Sequence, residues 1–191
     1  MGSPRDFDPV LLGNRETDAW AAYYRHEWGR FLHAAWGMVA EGFGLGPFGT
    51  TVGAWHVLRA NQHWAPYPHN DPDAARVSMR RFYALIARAG GFDLDPVRAS
   101  HLEVEWWRLH REHQHDPAVQ TEALVGSLVD LYSYVYGATP ESVFDAARLR
   151  VEAMDLSDAW VAAGCELTDP LLAQERAALV SSYTSLRAAV S

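Results

Sequence analysis

The sequence predicts an all-α fold, a single-domain helical bundle of about seven helices with no β-sheet. Two observations carry this. First, Asp-Pro occurs five times, at Asp8-Pro9, Asp71-Pro72, Asp95-Pro96, Asp116-Pro117 and Asp169-Pro170, and Thr139-Pro140 makes a sixth pair of the same kind. Asp or Thr at an N-cap accepts a hydrogen bond from an orphan backbone N–H, and proline in the next position loses nothing, because its missing N–H would have had no partner. Second, helix-forming stretches with apolar residues at 3.6-residue spacing follow the last five pairs, and several stop at glycine.

Residues 1–13 read as an extended arm before one helical domain over 14–191. The first helix is predicted from about Arg15 to Glu41, capped by Asn14. Trp20, Tyr24, Trp28, Phe31, Ala35, Met38 and Val39 share one arc of about 100° on it. Gly42 to Gly49, with four glycines and a proline, ends it. That segment follows a helix rather than a strand and matches no phosphate-loop spacing, so it reads as a turn. Helix 2 runs from Thr51 to about His63. Helix 3 spans Pro72 to Ala89 with Met79, Phe82 and Ile86 inward, closed by Gly90-Gly91. Helix 4 runs from Pro96 to about Gln114, helix 5 from Pro117 to Tyr136, helix 6 from Pro140 to Gly164 and helix 7 from Pro170 to about Ala189.

Composition bounds the function. The chain has 191 residues, 49% hydrophobic, enough for a substantial core. A net charge of −8 argues against nucleic acid or an anionic membrane as partner. All 16 basic residues are Arg, which resembles the codon bias of a high-GC bacterial genome. Without lysine there is no pyridoxal-phosphate Schiff base and no P-loop lysine. Cys165 stands alone, which excludes an internal disulfide, a cysteine zinc site and an iron–sulfur cluster. Residues 1–18 lack the apolar run of a signal peptide, and no stretch reaches 18 consecutive apolar residues. The expected location is cytoplasmic.

Histidine is the residue in excess, with nine in the chain. It is the commonest transition-metal ligand and the usual general base near neutral pH. On helix 4, His101, Glu105, Arg108 and Glu112 project onto the solvated face as ordinary i,i+4 and i,i+7 charges. Glu103, His110 and His113 project beside the Leu102–Leu109 core line and are candidate ligands. The other reading of them is two histidines satisfied by core hydrogen bonds and a glutamate at the rim. Glu27 projects into the middle of the predicted first helix's apolar face. A buried carboxylate must be paired, protonated or metal-bound, and Arg59 is the expected partner. His56, Arg59 and His63 share one side of helix 2, either as an anion-binding stripe or as a solvated face.

No established metal pattern is present. The only Glu-x-x-His, Glu112/His115, sits at a helix end, and His26-Glu27 does not extend to His-Glu-x-x-His. The function expected is a His/Glu-containing pocket between helices 1, 2 and 4 for a small molecule or a non-haem metal. Glu27, His56, Arg59, Glu103, His110 and His113 would supply its polar groups, in the manner of an oxidoreductase or hydrolase. The alternative is a non-catalytic interaction module, a homodimer joined through its surplus aromatic residues. A helix-turn-helix regulator is disfavoured by the acidic charge.

Overall fold

The computed structural model describes residues 5–89, 93–116 and 118–191. They are all-helical, with eight helices and no strand among the described residues: α1 Pro9–Tyr24, α2 Trp28–Phe43, α3 Pro47–Trp64, α4 Pro72–Ala89, α5 Pro96–His115, α6 Thr121–Tyr136, α7 Pro140–Ala162 and α8 Pro170–Val190.

The proline pairs start helices for the reason given. Asp8 accepts from the N–H of Val10 at 2.8 Å, Asp71 from Ala74 at 2.9 Å, Asp95 from Val97 at 2.9 Å and Asp169 from Leu171 at 2.9 Å. Thr139 accepts from Ser142 at 3.4 Å. Asp8-Pro9 is a full helix start, so the predicted arm ends at residue 8 and residues 9–13 belong to α1. Asp116-Pro117 is the exception. Asp116 caps the end of α5, its carboxylate takes the N–H of Ala118 at 2.9 Å, and α6 begins only at Thr121. Pro117 itself, and the predicted Gly90-Gly91 stop, lie outside the described residues.

The largest correction concerns the predicted first helix, which is two helices. His26 takes a left-handed conformation at φ 57. Its N–H bonds to the Tyr23 carbonyl at 3.0 Å, and the Glu27 N–H reaches Ala22 at 2.8 Å. This is the double closure of a helix end ordinarily built on glycine. A non-glycine residue there costs about 1–2 kcal/mol, and nothing in the local sequence advertises it. Farther on, the glycine-rich segment is shorter than expected. Gly44 ends α2 at φ 58, and Pro47 already occupies the first turn of α3.

Each helix packs on the next, and α8 returns onto α1, so the eight form a closed ring. Gly13 permits the closure, because a Cβ there would lie 2.7 Å from the Val180 backbone nitrogen of α8. One apolar cluster, from Phe7 to Val190, draws on all eight helices and fills the ring. Polar groups set into that filling form the site.

Candidate functional site

Three charged residues occupy the centre of helical apolar stripes. Glu16 follows Leu12 and precedes Ala19 on α1. Arg150 lies between Ala146, Ala147 and Met154 on α7. Glu175 lies between Leu172 and Leu179 on α8. Spacings of three, four and seven residues point each of them inward.

Glu16 and Arg150 meet. The guanidinium of Arg150 donates to one Glu16 oxygen, and the Tyr183 hydroxyl donates to the other. Arg150 also donates to the Tyr132 hydroxyl at 2.9 Å and lies over the Trp106 ring at 5.3 Å. Burial is the largest single influence and works against its charge, but Glu16, Tyr132 and Tyr183 together outweigh it and hold the guanidinium well above its ordinary pKa. Glu103 is the second carboxyl. It accepts from the Tyr83 hydroxyl at 2.6 Å and from the Trp106 indole at 3.3 Å. Burial raises its pKa against the pull of those two donors and of Arg150. Glu103 keeps some accessible area, and that area is wall of the interior chambers, which explains how it is desolvated without being sealed.

Glu103 and Arg150 stand between two cavities. The inner chamber, about 150 Å³, is walled by Trp20, Phe31, Trp64, Trp106, Trp107 and His110, among others. The second, about 160 Å³, lies deeper, against Phe43, Phe82, Tyr83 and Tyr132. An outer groove of about 400 Å³ shares Tyr23, Tyr24, Arg111 and Gln114 with the inner chamber. Arg111 donates to the Tyr23 hydroxyl at 3.2 Å and lies over the Trp64 and Tyr67 rings. A polar network lines the same opening. Asp158 accepts from Gln114 at 2.6 Å and from Tyr24 at 3.3 Å, and sits 3.1 Å from His110 Nε2. Burial, then the charge of Asp158, pushes the Tyr24 hydroxyl far above its ordinary range.

The predicted residues divide. Glu103 and His110 line the inner chamber, and His110 is stacked between Trp20 and Trp106. His113 turns away. Its Nδ1 donates to the Val119 carbonyl at 2.8 Å, and its Nε2 lies 3.6 Å from Asp155. Glu27 does not reach the chamber, because the helix break moves it to the start of α2. It pairs there with Arg25 and Arg30, both at 3.0 Å, and the Arg25 hydrogen bond leads in lowering its pKa. Arg59 is not its partner but bonds to Gln62 at 2.8 Å and to His63 at 3.3 Å. His56 is half-buried, its pKa lowered by burial and then by Arg81, and lies outside the chamber wall. Among the described residues no three His, Cys, Asp or Glu side chains gather closely enough to hold a metal ion.

Sequence reasoning missed Glu16, Arg150, Asp158 and Glu175. The signal for Glu16, Arg150 and Glu175 was a charge inside an apolar stripe. Asp158 had none, since its role depends on α5 and α1 meeting α7. No family model, curated protein or solved structure matches the chain.

Proposed function

We propose that the protein binds a small, flat, mainly apolar molecule in the inner chamber, with Glu103 accepting a hydrogen bond from it. One observation carries this reading: a carboxyl oriented by Tyr83 and Trp106 forms part of a wall in which the faces of Trp20, Phe31, Trp64, Trp106 and Trp107 predominate, beside a few polar groups such as Arg150 and His110. Few, fixed polar groups in an apolar, aromatic cavity are the usual composition of a small-molecule site. A cavity of about 150 Å³ takes a benzene-sized ring. A carboxylate offers about four acceptor positions, and Glu103 uses two within the protein, so an incoming donor finds room. Its raised pKa equips it to exchange a proton with the occupant, which is where acid–base chemistry would begin.

The test is a titration with phenol, aniline, indole and toluene, followed by tryptophan fluorescence and melting temperature. The ring compounds bearing a donor should quench and stabilise, and toluene should bind more weakly. Glu103→Gln should abolish that preference while toluene still binds. Failure of all four to perturb either signal at millimolar concentration defeats the reading.

A second reading is favoured by a separate observation. Trp36 on α2 and Phe48 and Trp55 on α3 are exposed by 42%, 84% and 52%. Trp36 bonds to Thr51 at 3.3 Å, which lies on the same α3 stripe, so the three rings form one patch. Such a patch suits a protein interface, including a homodimer. Sedimentation of the wild type against Phe48→Ser/Trp55→Ser tests it. A dimer that the double variant splits supports it, and a wild-type monomer at high concentration removes the homodimer.

A further inference from the structure

On the face away from the inner chamber, α1, α2 and α8 enclose a groove of about 530 Å³. Four arginines line it, Arg15, Arg25, Arg30 and Arg176, against two carboxylates, Asp18 and Glu27, in a chain whose net charge is −8. The carboxylates are engaged. Glu27 takes Arg25 and Arg30, and Asp18 takes Arg176 at 2.9 Å. The groove therefore holds two positive charges in excess, before any contribution from His33, which also lines it.

Two further features make this more than a count. The first is Arg15, whose guanidinium has no hydrogen-bond or ion-pair partner among the described residues. Its side chain crosses α2 over Gly37, where a Cβ would come within 2.8 Å of its Nε. Glycine inside a helix costs roughly 0.5–1 kcal/mol against alanine, so this one needs a reason, and the passage of Arg15 supplies it. The second is the start of α2 at the helix break. The N–H groups of Gly29 and Arg30 have no acceptor among the described residues, Glu27 gives no side-chain cap, and the space beside Gly29 is open. Unfilled donors at a helix start favour negative charge.

We propose that this groove is a binding site for a small dianionic oxyanion, a phosphate monoester in chemical class. A dianion matches the excess of two charges. Its several oxygens suit a guanidinium fork. The unpaired Arg15 receives it beside Gly37, while Arg25, Arg30 and Arg176 remain committed to Glu27 and Asp18. The open first turn of α2, about 12 Å away along the helix, adds to the positive field of the groove without touching the same ion.

The experiment uses the full chain at pH 7.5 and constant ionic strength. Inorganic phosphate and acetate are titrated separately, read by melting temperature and by the Arg Nε–Hε resonances. Phosphate should stabilise the protein and shift the Arg15 resonance saturably, while acetate should do neither. Arg15→Gln should weaken phosphate binding at least fivefold. Gly37→Ala should weaken it as well, because the added methyl displaces the Arg15 side chain without changing the net charge. A phosphate response no larger than that to acetate overturns the proposal. So does unchanged affinity in both variants.

Discussion

Glu16 and Glu175 are both completely buried, on helices that pack together, and their surroundings could hardly differ more. Glu16 has Arg150 on one oxygen and Tyr183 on the other. Among the described residues neither oxygen of Glu175 has a hydrogen-bond partner, nor does the buried Ser157 hydroxyl nearby, which favours the ionised form without bonding to it in acceptable geometry. Burial, with the negative charge of Glu16 as the next cause, pushes the Glu175 pKa up to about 8. Burial alone therefore does not decide what a carboxyl meets. Glu16 has a fixed counter-ion, and Glu175 at neutral pH is a neutral acid. The satisfied site borders the chambers, whereas the unsatisfied one lies between α7 and α8, away from them.

The contrast breaks most severely at Arg150. Arg150→Met strands Glu16 as a buried charge and should cost about 3–5 kcal/mol in denaturant unfolding. Glu175→Met should instead leave stability equal or higher at pH 8, by up to a few kcal/mol, because it removes a carboxyl that burial disfavours.

The sign of the pH dependence follows from the raised pKa. The native state retains the Glu175 proton up to about pH 8, and the unfolded chain loses it near the ordinary value of 4.5. The contribution of Glu175 to stability is therefore full below 4.5, falls as pH rises and levels off above about 8. Wild type and Glu175→Met should diverge across that window, and parallel curves would show that Glu175 is not held neutral.

Smaller effects sharpen the same comparison. Tyr183→Phe removes a hydrogen bond to a buried charge and should cost about 1.5–3 kcal/mol, with Arg150 still in place. Ser182 is buried and donates to the Ala146 carbonyl at 2.8 Å, so Ser182→Ala should cost about 1 kcal/mol. Ser157→Ala, losing a hydroxyl without a partner, should be neutral or slightly stabilising. Equal losses for the two serines would mean that Ser157 is bonded after all.

Much of the fold was legible because Asp or Thr before proline acts locally. Five of the six pairs open helices, and the starts of α4, α5, α7 and α8 fall where the sequence places them. The break at His26 was not legible, since a histidine carries a conformation that sequence assigns to glycine. That one residue also explains the misplacing of Glu27, whose inward projection assumed an unbroken helix. Glu103 and His110 were legible because α5 runs uninterrupted through both. The stripe test would have found Glu16 had α1 been started at Pro9, which brings Leu12 into register. Which acid meets an arginine and which meets nothing depends on the ring closing α8 onto α1, and no local pattern encodes that.

Arg111 has a consequence for time rather than affinity. Bonded to Tyr23 and laid over Trp64 and Tyr67, it stands between the outer groove and the inner chamber. On the proposed reading, a molecule entering from the outer groove would have to wait until Tyr23 and Arg111 part. Its entry is then clocked by that opening, so the observed rate should reach a plateau as concentration rises instead of climbing in proportion. Tyr23→Phe removes the hydrogen bond and should raise the plateau and hasten departure together, leaving the ratio of the two rates nearly unchanged. The same bolt would make the protein slow to lose whatever it has taken in.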